Sequence, residues 1–149
     1  MKILITGGAG YIGSILVSYL LEKKINVTVI DNFLYDKNSL NNYIHDSNFN
    51  IELNDVRNYE YINSILKNFD IVIPLASLVG APLCKLKPIE AKEINFNSIK
   101  NIVDNISKEQ ILLYPTTNSG YGIGKEDIYC DENTPLNPLS LYGQTKVDA

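Results

Sequence analysis

Tyr142 and Lys146 bracket the run Tyr142-Gly143-Gln144-Thr145-Lys146. On a helix such a pair shares one face, about 6 Å apart along the axis. An ammonium so placed favours a phenolate over a phenol, and a tyrosine can then take a proton from a substrate hydroxyl as a general base. An amphipathic surface pair has the same spacing, so the pair alone decides nothing. Near the other end stands Thr6-Gly7-Gly8-Ala9-Gly10-Tyr11-Ile12-Gly13. A glycine such as Gly7 permits a tight turn, Gly10 lets the backbone approach a pyrophosphate with no Cβ in the way, and Gly13 allows close helix-strand contact. The first helical turn, with Tyr11 and Ile12, presents unpaired N–H groups and a positive dipole end to phosphates. A merely tight turn would look similar.

Asp31 strengthens the ligand reading. It closes the next apolar run, with Asn32 beside it, at the distance of roughly 20 residues where a carboxylate accepts from both ribose hydroxyls of an adenosine. It would repel a 2′-phosphate, and no arginine follows in Asp31-Asn32-Phe33-Leu34, so NAD is expected rather than NADP. Asp55-Val56-Arg57 follows the third apolar run, where a carboxylate can face the adenine amine. Asp55 would equally serve as the N-cap of a helix beginning near Asn58.

These groups need a scaffold that brings strand ends together. Short apolar runs alternate with longer stretches of helical periodicity, the pattern of repeated β-α units around a parallel sheet. Strands are expected at Lys2 to Thr6, Asn26 to Ile30, Asn50 to Leu53, Ile71 to Leu75 and Ile111 to Tyr114. Helical stripes are Ile12, Leu16, Leu20 and Leu21, then Ile62, Ile65, Leu66 and Phe69, then Ile94, Ile99, Ile102, Val103 and Ile106. Thr116 to Ser140, rich in Gly, Pro and Asn, is expected to form a long loop, and Ser140 to cap a helix carrying Tyr142, Lys146 and Val147. That helix is cut after barely two turns, so the chain is expected to be a fragment.

Length and composition agree with one soluble domain: 149 residues, 45% hydrophobic, 13 basic against 17 acidic residues, a formal charge of −4. With no basic run, no nucleic-acid or anionic-membrane partner is expected. Cys84, Cys130 and the single His45 suggest neither a metal site nor a disulfide. The opening Ile3-Leu4-Ile5 is too short for a signal core or a membrane span, so a cytoplasmic protein is expected.

Taken together, the glycine turn and Tyr142-x-x-x-Lys146 resemble the extended short-chain dehydrogenase/reductase family, in particular its NAD-dependent epimerase/dehydratase branch, over essentially the whole chain. Further landmarks fall in order: Asp31, Asp55-Val56-Arg57, Leu75-Ala76-Ser77, Asn95, Thr116-Thr117-Asn118-Ser119-Gly120-Tyr121-Gly122 and Asp131-Glu132-Asn133-Thr134-Pro135. The resemblance implies a Rossmann-type doubly wound α/β fold that stops before the last strands and the substrate domain. It implies that Thr117 takes the place of the catalytic Ser/Thr bonding the reacting sugar oxygen, and that Lys146 also holds the nicotinamide ribose. Leu75 and Ala76 would lie beside the cofactor. Asn95 would match the asparagine that shapes the central helix near the site; a polar residue on a helix face is the plainer alternative. Val79, Gly80 and Ala81 fall where substrate loops commonly lie.

Two departures carry information. The family's 4,6-dehydratases place an Asp-Glu pair after the catalytic Ser/Thr, whereas this chain has Asn118 and Ser119, which cannot transfer protons in that way at neutral pH. The common His-Leu-Ala-Ala is Pro74-Leu75-Ala76-Ser77 here. The expectation is thus an NAD-dependent nucleotide-sugar epimerase working through a transient keto-sugar, with 4-epimerisation favoured. The alternatives are another nucleotide-sugar reductase or decarboxylase, or a cofactor-binding fragment without turnover. Relatives often dimerise through two helices, one of them bearing the tyrosine, so a homodimer is expected only of the full-length protein.

Overall fold

β-Branched residues dominate the apolar runs and fit a pleated, buried surface. They form five strands, β1 Lys2–Thr6, β2 Asn26–Asp31, β3 Phe49–Leu53, β4 Ile71–Pro74 and β5 Ile111–Leu112. The computed structural model describes residues 1–35, 38–124 and 129–149. The sheet is parallel, in the order β3-β2-β1-β4-β5, with Ile5 level with Val29 on one side and Ile73 on the other. The order reverses between β1 and β4, and the crevice beyond the carboxyl ends at such a switch point is where open α/β sheets bind ligands.

Alternation along the strands separates two apolar faces. Ile3, Ile5, Val27, Val29 and Ile73 pack with Val17, Leu20 and Leu21 of α1, Tyr11–Glu22. Leu4, Ile30 and Val72 pack with Ile62 and Leu66 of α2, Tyr59–Leu66, and with Ile102. Full burial of one large aliphatic side chain contributes about 1.5–3 kcal/mol. These clusters therefore outweigh any single polar contact in fixing the strand ends. The remaining helices are α3 Ala81–Leu86, α4 Pro88–Lys92, α5 Ser98–Asn105 and α6 Leu141–Asp148. A π-helical turn, Glu93–Asn97, joins α4 to α5, and 3-10 turns form at Asn41–Tyr43 and Asn118–Tyr121.

The chain divides into two compact units, Met1–Ala76 with Asn101–Pro115, and Ser77–Lys100 with Thr116–Ala149. The first contains the whole sheet. No helix of the described residues is long and apolar enough to cross a membrane. Cys84 is buried and Cys130 exposed, both as free thiols.

Several expectations need correction. Ile12 is 63% exposed and does not lie on the sheet. The buried stripe of α1 is Gly13, Val17, Leu20 and Leu21, because the helix closes onto the turn through a residue without a side chain. Val103 is likewise exposed. The fifth strand is two residues long rather than four. Where a substrate loop was expected after β4, Gly80 is the N-cap of α3, and a second short helix follows. The expected loop from Thr116 to Ser140 contains the 3-10 turn, while its residues 125–128 lie outside the described residues.

Candidate active site

In the first unit the end of β1 runs straight into the glycine turn. Gly7 has φ +72°, and a Cβ on it would lie 2.4 Å from the backbone nitrogen of Ala76. Leu75 N–H donates to Thr6 O at 2.8 Å, so Leu75 and Ala76 stand against the turn. A Cβ on Gly13 would lie 2.6 Å from Gly8 Cα. Gly10 differs: among the described residues its Cβ would meet only Gly7 O, at 3.3 Å. The backbone is thus open to a ligand at Gly10 and closed at the glycines on either side.

The start of α1 has no capping side chain and no acidic residue in its first turn. By contrast, α2 has Asn58 accepting from Tyr61 N–H, and Glu60 in its first turn. The N–H groups of Tyr11, Ile12 and Gly13 precede the first bond of the helix, from Ser14 N–H to Gly10 O. An uncompensated positive helix end beside an open glycine fits a pyrophosphate.

Asp31 ends β2. Its Oδ2 accepts from Ala9 N–H at 2.9 Å and its Oδ1 from Phe33 N–H at 2.8 Å. The carboxylate therefore ties the glycine turn to β2, and each oxygen retains a second lone pair for a hydroxyl. Asn32 Nδ2 donates to Asp55 Oδ2 at 3.0 Å. Arg57 grips Asp55 side-on, Nε to Oδ1 at 2.8 Å and Nη2 to Oδ2 at 2.7 Å. This guanidinium, with the Arg57 N–H and Asn32, holds the Asp55 carboxyl down at about 2 against the cost of its burial. Val56 beside it is buried. Asp55 is not the cap of α2; that role falls to Asn58.

In the second unit Ser140 caps α6 as expected, its Oγ accepting from Gly143 N–H at 3.0 Å. Tyr142 is half-buried, and Lys146 is 6% exposed. Burial pushes the Lys146 ammonium down to about 8. Thr117 caps the 3-10 turn, its Oγ1 accepting from Ser119 N–H at 3.2 Å. That turn rests on α6: a Cβ on Gly143 would lie 2.9 Å from Ser119 O, and one on Gly120 would lie 2.9 Å from Val147 Cγ2. Thr117 is thereby brought to the helix that carries Tyr142 and Lys146.

Asn95 lies in the π-helical turn, 1% exposed. Its Oδ1 accepts from Leu78 N–H (2.7 Å) and from the Ser77 hydroxyl (3.0 Å). Its Nδ2 donates to Leu78 O (3.0 Å) and Thr145 Oγ1 (3.3 Å). The Thr145 hydroxyl in turn donates to Tyr142 O at 3.0 Å. With every amide position satisfied by protein, Asn95 shapes the segments around α6 and is no solvent-facing polar residue. A direct contact with a ligand would have to displace one of these bonds. Thr145 and Arg57 were not foreseen as site residues. Thr145 stands three positions after Tyr142, a spacing that shares its helix face, and this signal would have found it.

The glycine turn, Asp31, Asn32 and Asp55 belong to the first unit, while Asn95, Thr117, Tyr142 and Lys146 belong to the second.

A family model described as the NAD dependent epimerase/dehydratase family matches residues 3–149. A putative UDP-glucose 4-epimerase of Methanocaldococcus jannaschii is 35% identical over 147 residues, covering 97% of this chain and 47% of that protein. A UDP-N-acetyl-alpha-D-glucosaminuronate decarboxylase of Bacillus cytotoxicus is 30% identical over 145 residues, covering 97% of this chain and 43% of that protein. Among solved structures, a UDP-glucose 4-epimerase of Thermus thermophilus in complex with NAD superposes with a TM-score of 0.83 at 26% identity, over 98% of this chain and 47% of that one. The chain spans about half the length of the curated relatives it matches.

Proposed function

Since this chain belongs to the NAD dependent epimerase/dehydratase family, we propose that its protein is an NAD-dependent nucleotide-sugar epimerase, with inversion at C4 of the sugar as the reaction. The observation that carries this reading is the Thr117 turn seated on the helix of Tyr142 and Lys146, with Asn118 and Ser119 next in sequence. A hydroxyl, a phenol and an ammonium suffice to move one proton on and off a sugar oxygen. Eliminating water would need a further acid and base, which Asn118 and Ser119 do not provide.

The residues that would hold NAD are the Gly10 to Gly13 backbone for the pyrophosphate, Asp31 with Asn32 for the adenosine ribose, Asp55 with Val56 for the adenine, Leu75 and Ala76 beside the cofactor, and Lys146 for the nicotinamide ribose. When bound, NAD reversibly accepts a hydride from the sugar carbon. Tyr142 takes the C4 hydroxyl proton and later returns it. Thr117 donates a hydrogen bond to the same oxygen, and Asn95 and Thr145 keep the Tyr142 turn in place. Lys146, an ammonium in a buried setting, stabilises negative charge on the Tyr142 oxygen more strongly than it would in water.

The test is to incubate the protein with NAD and a panel of UDP-sugars and to follow C4 by proton NMR. Appearance of the C4 epimer of at least one sugar is expected. NAD binding with no inversion of any panel member would overturn the reaction. A second reading, decarboxylation, is favoured by the similarity to the Bacillus cytotoxicus protein, and release of CO2 from a nucleotide-linked uronic acid would identify it.

A further inference from the structure

The stretch after β2 is tied down where it passes the glycine turn. Ser39 Oγ donates to Ala9 O at 2.7 Å. Leu40, 3% exposed, is part of the same apolar cluster as Ala9 and Val17. Tyr43 OH donates to Ser18 Oγ on α1 at 2.7 Å. Within the stretch, Asn41 N–H donates to Asn38 O and Tyr43 N–H to Leu40 O, at 3.1 and 3.0 Å. These contacts make residues 38–43 a brace running from the glycine turn along α1 as far as Ser18.

The contact at Ala9 bears on the turn itself. Ala9 N–H donates to Asp31 Oδ2, while its carbonyl accepts from Ser39. Ala9 is therefore held at both its N–H and its C=O by side chains from outside the turn. The next residue is Gly10, whose backbone is open and whose carbonyl accepts the first bond of α1. The Gly10 N–H is itself bonded within the turn, to Gly7 O at 3.2 Å, so any rotation about Ala9 re-aims the N–H groups of the first helical turn together.

We propose that Ser39 is a positioning residue for the pyrophosphate-binding turn: with Asp31 it clamps Ala9 so that the Tyr11, Ile12 and Gly13 N–H groups are preset for a diphosphate. Preorganisation acts through affinity, because the order is already in place before the ligand arrives. The clamp rests on the reading that this turn binds the diphosphate of NAD. It predicts a dependence on ligand chemistry, since ligands that carry the diphosphate need the turn and a bare nucleoside does not.

The test measures affinities of NAD, ADP-ribose and adenosine for the chain, for S39A and for S39T, alongside each variant's melting temperature. Loss of one hydrogen bond to a carbonyl corresponds to about a fivefold weakening. S39A is expected to bind NAD and ADP-ribose about fivefold more weakly with adenosine unchanged, and S39T, which keeps the hydroxyl, to restore both. Wild-type binding of all three with S39A indistinguishable from it overturns the clamp alone. Equal weakening for all three ligands with a lowered melting temperature also overturns it, as a merely structural contact. A wild-type chain that binds neither NAD nor ADP-ribose overturns the cofactor reading and the clamp together.

Discussion

Replacing Lys146 with methionine should stabilise the chain at neutral pH, and the gain should vanish as the pH is raised. Lys146 is 6% exposed, and burial lowers it from 10.5 to about 8. The unfolded chain therefore binds a proton between about pH 8 and 10.5 that the folded chain releases. Stability consequently rises with pH across that window. Below pH 8 both states carry the charge, and the folded state bears the net cost of holding it in a buried setting. At 1.36 kcal/mol per pH unit, a shift from 10.5 to about 8 corresponds to about 3 kcal/mol. Methionine keeps most of the stem volume and carries no charge, so K146M should be more stable by up to about 3 kcal/mol at pH 7. The assay is urea unfolding of both proteins at several values from about pH 6.5 to 10.5, read as the difference between them so that other titrating groups cancel. Parallel curves across the range would refute the reasoning, as would a variant less stable at neutral pH.

Three further outcomes follow from the geometry. Gly13→Ala puts a methyl 2.6 Å from Gly8 backbone that cannot swing aside; it should cost about 1–3 kcal/mol in urea unfolding and weaken NAD binding in calorimetry. Asn95→Leu strips partners from Leu78, Ser77 and Thr145 in a buried network and should lower stability by at least about 2 kcal/mol. In the nucleotide-sugar assay, Tyr142→Phe should reduce turnover by about 10²–10⁴-fold while leaving NAD affinity unchanged.

What could be read in the sequence was what is encoded over short distances. The glycine turn, Asp31 and the α6 pair are each contained in one β-α or loop-helix junction, where residue type and local conformation are tightly coupled. The sheet was legible for the same reason, because its strands are short apolar runs rich in Ile and Val. The helices α3 and α4 escaped because six and five residues are too few for periodicity; Pro82 and Pro88 in their first turns were the available signals. In the stripe of α1 only Ile12 was misplaced, because the helix's point of contact there, Gly13, has no side chain to count as apolar, while Leu16, Leu20 and Leu21 do pack on the sheet. Least legible was the Asn95 network. It joins residues 17 and 50 positions apart around a π-helical turn that local propensity does not announce. The same holds for Arg57, whose side-on grip on Asp55 depends on how the chain leaves β3.

The most direct test of the cofactor assignment is titration of the ¹⁵N-labelled chain with NAD, with NADP as the comparison. Saturable shifts of the Ala9, Gly10, Tyr11, Ile12, Gly13 and Asp31 amides with NAD, and much weaker ones with NADP, are the expected result. Unmoved glycine-turn amides at millimolar NAD would contradict it.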